Sequence, residues 1–315
     1  MLSRVASSIY WMSRYLERVQ SIARLIDVQD QLGMDQPDTP GLGKWEALMR
    51  TTRSYEAFEK AYPEATPEDA FRFLTFDPEQ PNSMFSCMTA ARENARSIRE
   101  ILTSELWQQV NELYHTIRLA SSKLNREDQL QDRFLDKVKT SGLSFSGIVE
   151  GTMASGEARS WFRLGQLIER ADQTPRILDV KYFVLLPSPE DVGTPMDQIQ
   201  WAGLLRSASA LQVYRGEFGA ITPRHVAELL LFSHIFPRSA RYCIREADQE
   251  LRSVLGTQTG YFCNPAEQLL GQVNSQLQYA TIDEVFNHGL HEYIDTLQTQ
   301  IGLIGQRIDQ SYFSN

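Results

Sequence analysis

The sequence predicts an all-α protein, a helical bundle built from two tandem copies of one helical unit packed into a single domain. Three observations predict it. Apolar residues recur at the helical period, sustained β-strand alternation is nearly absent, and a long series of residues repeats at an almost constant offset. The first copy covers about residues 1–140 and the second about 150–315 of a 315-residue chain.

The first helix is read from residues near the N-terminus. At 100° per residue, Trp11, Met12, Tyr15, Leu16, Val19, Ile22, Ala23 and Ile26 fall on one arc, while Arg14, Glu17, Ser21 and Arg24 lie opposite. The segment Gly33–Gly43, rich in Gly, Pro and Asp, reads as a loop. Thr66-Pro67 then reads as an N-cap followed by proline at the first helical position. A helix starting near Asn82 carries Arg92, Arg96, Arg99 and Thr103 within about 60° of each other, beside an apolar face of Ala91, Ala95, Ile98 and Leu102. Thr140–Gly147 reads as a loop between the copies.

The second copy repeats this order. Glu17, Arg18, Arg24, Asp27 and Val28 match Glu169, Arg170, Arg176, Asp179 and Val180 at an offset of 152. At an offset of 156, residues 45–91 share 11 identities with 201–247 without a gap, among them Trp45/Trp201, Thr66/Thr222, Pro81/Pro237, Ser83/Ser239 and Cys87/Cys243. Pro175 falls inside the second motif helix and is expected to kink it. Pro187–Asp197 reads as a loop, Thr222-Pro223 as a second capped helix start, and Pro265–Arg307 as helical. Units that bury little surface alone are stabilised by stacking, so the copies are expected to form one domain.

Composition narrows the function classes. The net charge of −9 gives no global positive field, so nucleic-acid binding is not expected. Cys87, Cys243 and Cys263 form no CxxC pair, which argues against a disulfide framework or a zinc ribbon. The N-terminal residues lack the apolar core of a signal peptide, and no run approaches the ~18 apolar residues of a membrane span. A cytoplasmic location without membrane association is therefore expected.

Of the 31 basic residues, 25 are arginine and 6 are lysine. Arginine is favoured where a planar fork must hold an anion in fixed geometry, although codon bias produces the same excess, so position has to decide. Arg92, Arg96 and Arg99 form one stripe, and Arg238, Arg241, Arg245 and Arg252 a second. Like charges so placed weaken a helix and need acidic partners from elsewhere. One source is internal: Glu17, Asp27, Glu169 and Asp179, which would lock the copies together. The other is an anionic ligand or an acidic protein surface. The residues leave both open.

Signals for catalysis are weak. Glu112 and His115 make an ExxH without the second copy a di-iron site needs, and Glu284, His288 and His291 share a helix face at metal-compatible spacing. No metal site and no cofactor is expected from these. Neither a phosphate-binding glycine loop nor a GxSxG is present, and Cys87 and Cys243 fit small core residues better than nucleophiles.

Four separated motifs carry a family resemblance. They are Leu2–Ala6 leading through Tyr10-Trp11 to Arg14–Arg18; Ala91–Glu100; Leu164–Asp172; and Pro237–Arg241. Together they resemble the alpha-E family, bacterial helical proteins with a recurrent Glu-Arg motif, along essentially the whole chain. The resemblance implies a genomic setting. Such proteins accompany an ATP-grasp protein of the carboxylate–amine ligase kind, often with a transglutaminase-like peptidase, in a pathway that makes, attaches or trims peptides. It implies no catalytic residues. The candidates for binding a ligand or partner are Glu17, Arg18, Arg24, Arg92, Glu93, Asn94, Arg96, Arg99, Glu169, Arg170, Arg176, Arg238 and Arg241. The leading expectation is a non-catalytic partner of the ligase. The alternatives are an enzyme with a buried Glu-Arg pocket and a self-assembling, homo-oligomeric scaffold.

Overall fold

Two long helices lie against each other at the centre of the protein: α1 (Ser3–Gly33) and α8 (Glu157–Val184). The computed structural model describes residues 1–33, 44–62, 66–123, 128–184, 194–258 and 260–314. The described residues contain helices and no strand, as the periodicity predicts.

After α1 come α2 (Lys44–Thr51), α3 (Tyr55–Ala61), α4 (Pro67–Thr75), α5 (Met84–Ser97), α6 (Ser104–Lys123) and α7 (Asp128–Thr152). After α8 come α9 (Pro195–Ser207), α10 (Leu211–Glu217), α11 (Pro223–Phe232), α12 (Ala240–Leu255), α13 (Pro265–Tyr279), α14 (Ile282–His288) and α15 (Leu290–Ile308), closed by a π-helical turn at Asp309–Phe313. Helix α5 packs on α1 and α12 packs on α8; α7 flanks α1 and α15 flanks α8. The short helices cross over, with α9 against α1 and α2 against α8.

The helix starts are set by local chemistry. Thr66 and Thr222 cap α4 and α11 by accepting from the N–H of Asp69 and His225, each with proline at the first helical turn. Ser83 and Ser239 cap α5 and α12, and each hydroxyl also donates to the turn before it, to Asp77 O and Ser233 O. Cys87 and Cys243 are fully buried beside these turns, and burial pushes both thiols up to about 12.

Three expectations are corrected. Thr140–Gly147 is not a loop but lies within α7. A Cβ on Gly142 would sit 1.5 Å from the Gln20 side-chain nitrogen, so this glycine allows α7 to approach α1 rather than breaking the chain. The loop expected at Pro187–Asp197 ends early, because Pro195 opens α9; residues 187–193, like 34–43 of the first expected loop, lie outside the described residues. The stripe of Arg92, Arg96, Arg99 and Thr103 is cut short, since α5 ends at Ser97. Arg99 stands in the following turn over the Trp107 ring, and the Thr103 hydroxyl accepts from Leu106 N–H at the start of α6. Pro175 lies within α8, which runs on through it to Val184.

Both central helices are buried on their polar as well as their apolar arcs. On α1, Ile9, Met12, Val19 and Ile26 are fully buried, and so, nearly, are Ser13, Glu17, Gln20, Ser21 and Arg24. The polar arc faces neighbouring helices instead of solvent, so its charges must be matched inside the protein.

Candidate functional site

That matching produces an ionic seam between α1 and α8. Glu17 accepts from Arg170 of α8 through both oxygens, at 2.9 Å each, and from Arg238 at 3.0 Å. Glu169 accepts from Arg18 of α1 at 2.6 and 3.0 Å and from Arg14 at 2.9 Å. Each motif helix therefore gives its glutamate to the arginines of the other. Neither carboxylate is exposed to solvent. Paired, bidentate guanidiniums are the arrangement that offsets desolvation of a buried charge.

The electrostatics follow. Burial alone would raise the Glu17 carboxyl; Arg170 and Arg238 outweigh it and hold the group down to about 2. Glu169 is depressed in the same way, with burial opposed by Arg18 and Arg14. The unfolded carboxyls titrate near 4.3. A depressed folded value means the stabilisation is complete above that pH and is lost as the pH falls towards about 2. Urea denaturation at pH 7 and pH 3 is expected to show a loss on the order of a few kcal/mol at the lower pH. Equal stability at both would show that the seam does not hold its carboxylates ionised.

The second arginine of each motif does a different job. Arg24 donates to Ser207 O at 2.7 Å, at the C-terminus of α9, and to the Ser209 hydroxyl. Arg176 donates to Thr51 O at 2.7 Å, at the C-terminus of α2, while its other nitrogens pair with Asp172. Cations there satisfy terminal carbonyls and oppose the helix dipole. Both turns pass through a left-handed residue, Arg53 (φ 54°) and Ser209 (φ 57°). Arg24 is 3 % exposed and no carboxylate among the described residues lies within ion-pair distance of it; burial, then the like charge of Arg238, push it down to about 9.

Of the remaining candidates, all but Arg238 separate from the seam. Arg238 joins it, although it precedes α12 rather than riding on the second stripe. Among the described residues Arg241 donates to Phe232 O, and Arg245 and Arg252 bond to Glu246 and Asp248 nearby. Arg92 lies on Asn111 and over the Tyr114 ring, and Arg96 pairs with Glu93 in solvent. Asn94 sits half-buried on the same helix. The first stripe therefore meets neither Glu17 nor Glu169. Asp27 takes Lys139 and the Ser207 hydroxyl, and Asp179 takes His291. Glu284 accepts from the Thr281 N–H at the start of α14, whereas His291 lies on α15, so the two do not share a helix.

Residues that sequence reasoning passed over complete the picture. Arg14 supplies half of the Glu169 clamp. Gln20 accepts from both Arg24 and Arg238. Beside the seam a cleft of about 160 Å³ opens between α1, α8 and the turns after α2 and α4, lined by Arg18, Ile22, Leu25, Leu74, Gln80, Asn82, Asp172 and Arg176 among others. Asn82 accepts from Arg18 at 2.7 Å. The available signal was the set of positions where the repeats disagree: Asn82 against Arg238, Gln80 against Phe236, and Asp172 against Gln20.

No described helix is long and apolar enough to cross a membrane. Comparison with known proteins places this arrangement. Uncharacterized proteins of Mycobacterium bovis and of Mycobacterium tuberculosis are each 23 % identical over 299 residues, which is 90 % of this chain and 33 % of theirs. The chain thus spans about a third of the length of these curated relatives. No solved structure matches. A family model described as a predicted alpha-helical domain with a conserved ER motif matches residues 1–313, and in this chain Glu17-Arg18 and Glu169-Arg170 exchange glutamate and arginine between two helices. The chain belongs to the Alpha-E family.

Proposed function

We propose that the chain is a non-catalytic helical partner of a carboxylate–amine (ATP-grasp) peptide ligase system, acting in the cytoplasm in peptide synthesis, modification or turnover, with a transglutaminase-like peptidase as a further partner. The observation that carries the non-catalytic reading is the closure of the seam. Both motif glutamates are ionised, fully buried and clamped by two arginines each, so neither is free to exchange a proton near pH 7. This weighs against an enzyme with a Glu-Arg pocket. The relatives' threefold greater length supports a unit that works beside further polypeptide. The reciprocal seam and the crossed α2 and α9 contacts support descent of the two halves from one duplicated unit.

The surface offered to a partner includes the outward face of α5, where Arg96 has 69 % of its side chain exposed. Arg96→Lys is expected to change stability by less than about 0.5 kcal/mol, because its ion pair with Glu93 is solvated. Arg96→Glu is expected to weaken a complex with the purified ATP-grasp ligase, measured by size-exclusion chromatography at micromolar concentration. A ligase that neither binds the chain nor changes its turnover in its presence overturns the partner reading. A defined oligomer of this chain alone, insensitive to Arg96→Glu, favours the scaffold.

A further inference from the structure

We propose that the cleft beside the seam is a binding site for a terminal carboxylate carried on a short apolar residue, the group found at the C-terminus of a peptide and on a free amino acid. The proposal deepens the partner reading by naming the ligand such a partner would present, and it is tested separately from it.

The cleft has an apolar wall and a donor-rich rim. Ile22, Leu25 and Leu74 are 6 %, 1 % and 5 % exposed and form the wall. At the rim, Arg18 uses three of its five N–H groups, on both oxygens of Glu169 and on Asn82. Arg176 likewise uses three, two on Asp172 and one on Thr51 O. Each guanidinium retains two donors. Gln80 lines the same cleft. It is 8 % exposed, and its carboxamide makes no hydrogen bond to any described residue. Its amide is open to the cleft rather than sealed, so it carries donor and acceptor capacity that water satisfies and a ligand can take over.

Charge and size select the ligand. Arg14, Arg18 and Arg176 face Glu169 and Asp172, which leaves one positive charge in excess. One excess charge matches a monoanionic carboxylate better than a phosphate dianion. A volume of about 160 Å³ is close to the ~150 Å³ cavity that admits benzene, so it accepts about six heavy atoms, the scale of a valine or leucine residue.

The other half of the chain shows why the opening exists. At the same offset it carries Phe236 and Arg238 in place of Gln80 and Asn82. Both are buried, and the Arg238 guanidinium closes onto Glu17 and Gln20. Two shorter neutral residues leave that space unfilled beside α1. The ligand carboxylate would be held by the free donors of Arg18, Arg176, Asn82 and Gln80, with its side chain against Ile22, Leu25 and Leu74.

Isothermal titration calorimetry on the intact chain tests this with N-acetyl-L-leucine, its amide, L-leucine and the tripeptide Ala-Ala-Leu. N-acetyl-L-leucine is expected to bind at least about tenfold more tightly than the amide, a difference of ~1.4 kcal/mol. Asn82→Arg, which installs the arginine of the other half at an exposed position, is expected to abolish binding, and Gln80→Leu to weaken it severalfold; circular dichroism confirms that each variant is folded. Tighter binding of the tripeptide than of leucine assigns the site to peptide ends, and the reverse assigns it to free amino acids. Equal binding of acid and amide, binding unchanged by both substitutions, or none of the probes binding at about 10 mM overturns the proposal. Carboxylate binding without a ligase complex removes the partner reading alone, and a ligase complex without carboxylate binding removes this one alone.

Discussion

Glu17→Gln is expected to destabilise the protein by about 3–5 kcal/mol, the range for removing one partner of a buried ion pair. The substitution keeps the shape and removes the charge. Arg170 and Arg238, with side chains 12 % and 10 % exposed, then lose their carboxylate. Arg24 stands close by with no ion-pair partner among the described residues, so three guanidiniums would be left near each other without the carboxylate that offsets their mutual repulsion. Glu169→Gln is expected to cost less. Its arginines are no better buried, Arg14 at 11 % and Arg18 at 20 %, and each lies over aromatic rings, Arg14 over Tyr10 and Trp11 and Arg18 over Tyr15. These contacts continue to hold the cations when the carboxylate is gone. Urea denaturation followed by far-ultraviolet circular dichroism gives both numbers. A loss under about 1 kcal/mol for Glu17→Gln would show that water reaches the seam and that the pairs are worth no more than surface bridges. Losses in the reverse order would show that the aromatic contacts do not support Arg14 and Arg18.

The same two glutamates mark how far the sequence could be read. Helical periodicity placed α1 and α8, and the Thr-Pro pairs placed the starts of α4 and α11, because these features depend on residues a turn or two apart. The repeated Glu-Arg spacing singled out Glu17, Arg18, Glu169 and Arg170 as candidates, and left open whether they pair inside the protein or meet a ligand. It could not say that the pairs cross, Glu17 to Arg170 and Glu169 to Arg18, since that depends on how two helices more than 120 residues apart are set against each other. The arginines of α5 looked equivalent to those of the seam in spacing alone. They are separated from it because Arg92 and Arg96 ride on α5 against Asn111 and Glu93, and Arg99 stands over Trp107 in the turn after α5 ends at Ser97. The cleft was hidden for a different reason. A search for shared residues discards Gln80 and Asn82, yet their departure from Phe236 and Arg238 is what accompanies the opening.

Gly165→Ala is expected to cost about 2–4 kcal/mol, at or above the usual range for overpacking. Glycine inside a helix is normally a weak point that alanine improves by roughly 1 kcal/mol. Here the backbone position decides otherwise. A Cβ on Gly165 would lie 2.4 Å from the Tyr10 carbonyl oxygen and 2.2 Å from the Ser13 hydroxyl. The carbonyl belongs to the α1 backbone and cannot rotate aside, and the Ser13 hydroxyl is itself donating to that carbonyl. The helices α1 and α8 would have to separate at this crossing. Glu169 lies one turn further along α8, and its bonds to Arg14 and Arg18 span 2.6–3.0 Å, so a shift of a few tenths of an ångström reaches the seam directly. Gly165→Ala and Glu169→Gln are therefore expected to couple. Their combined loss should fall short of the sum by about 1 kcal/mol or more, because either change alone already loosens the same bonds. Additive losses in a double-mutant cycle would mean that the close approach at Gly165 and the ionic seam are independent supports. A stabilised Gly165→Ala protein would mean that the two helices do not meet as closely as the 2.4 Å approach requires.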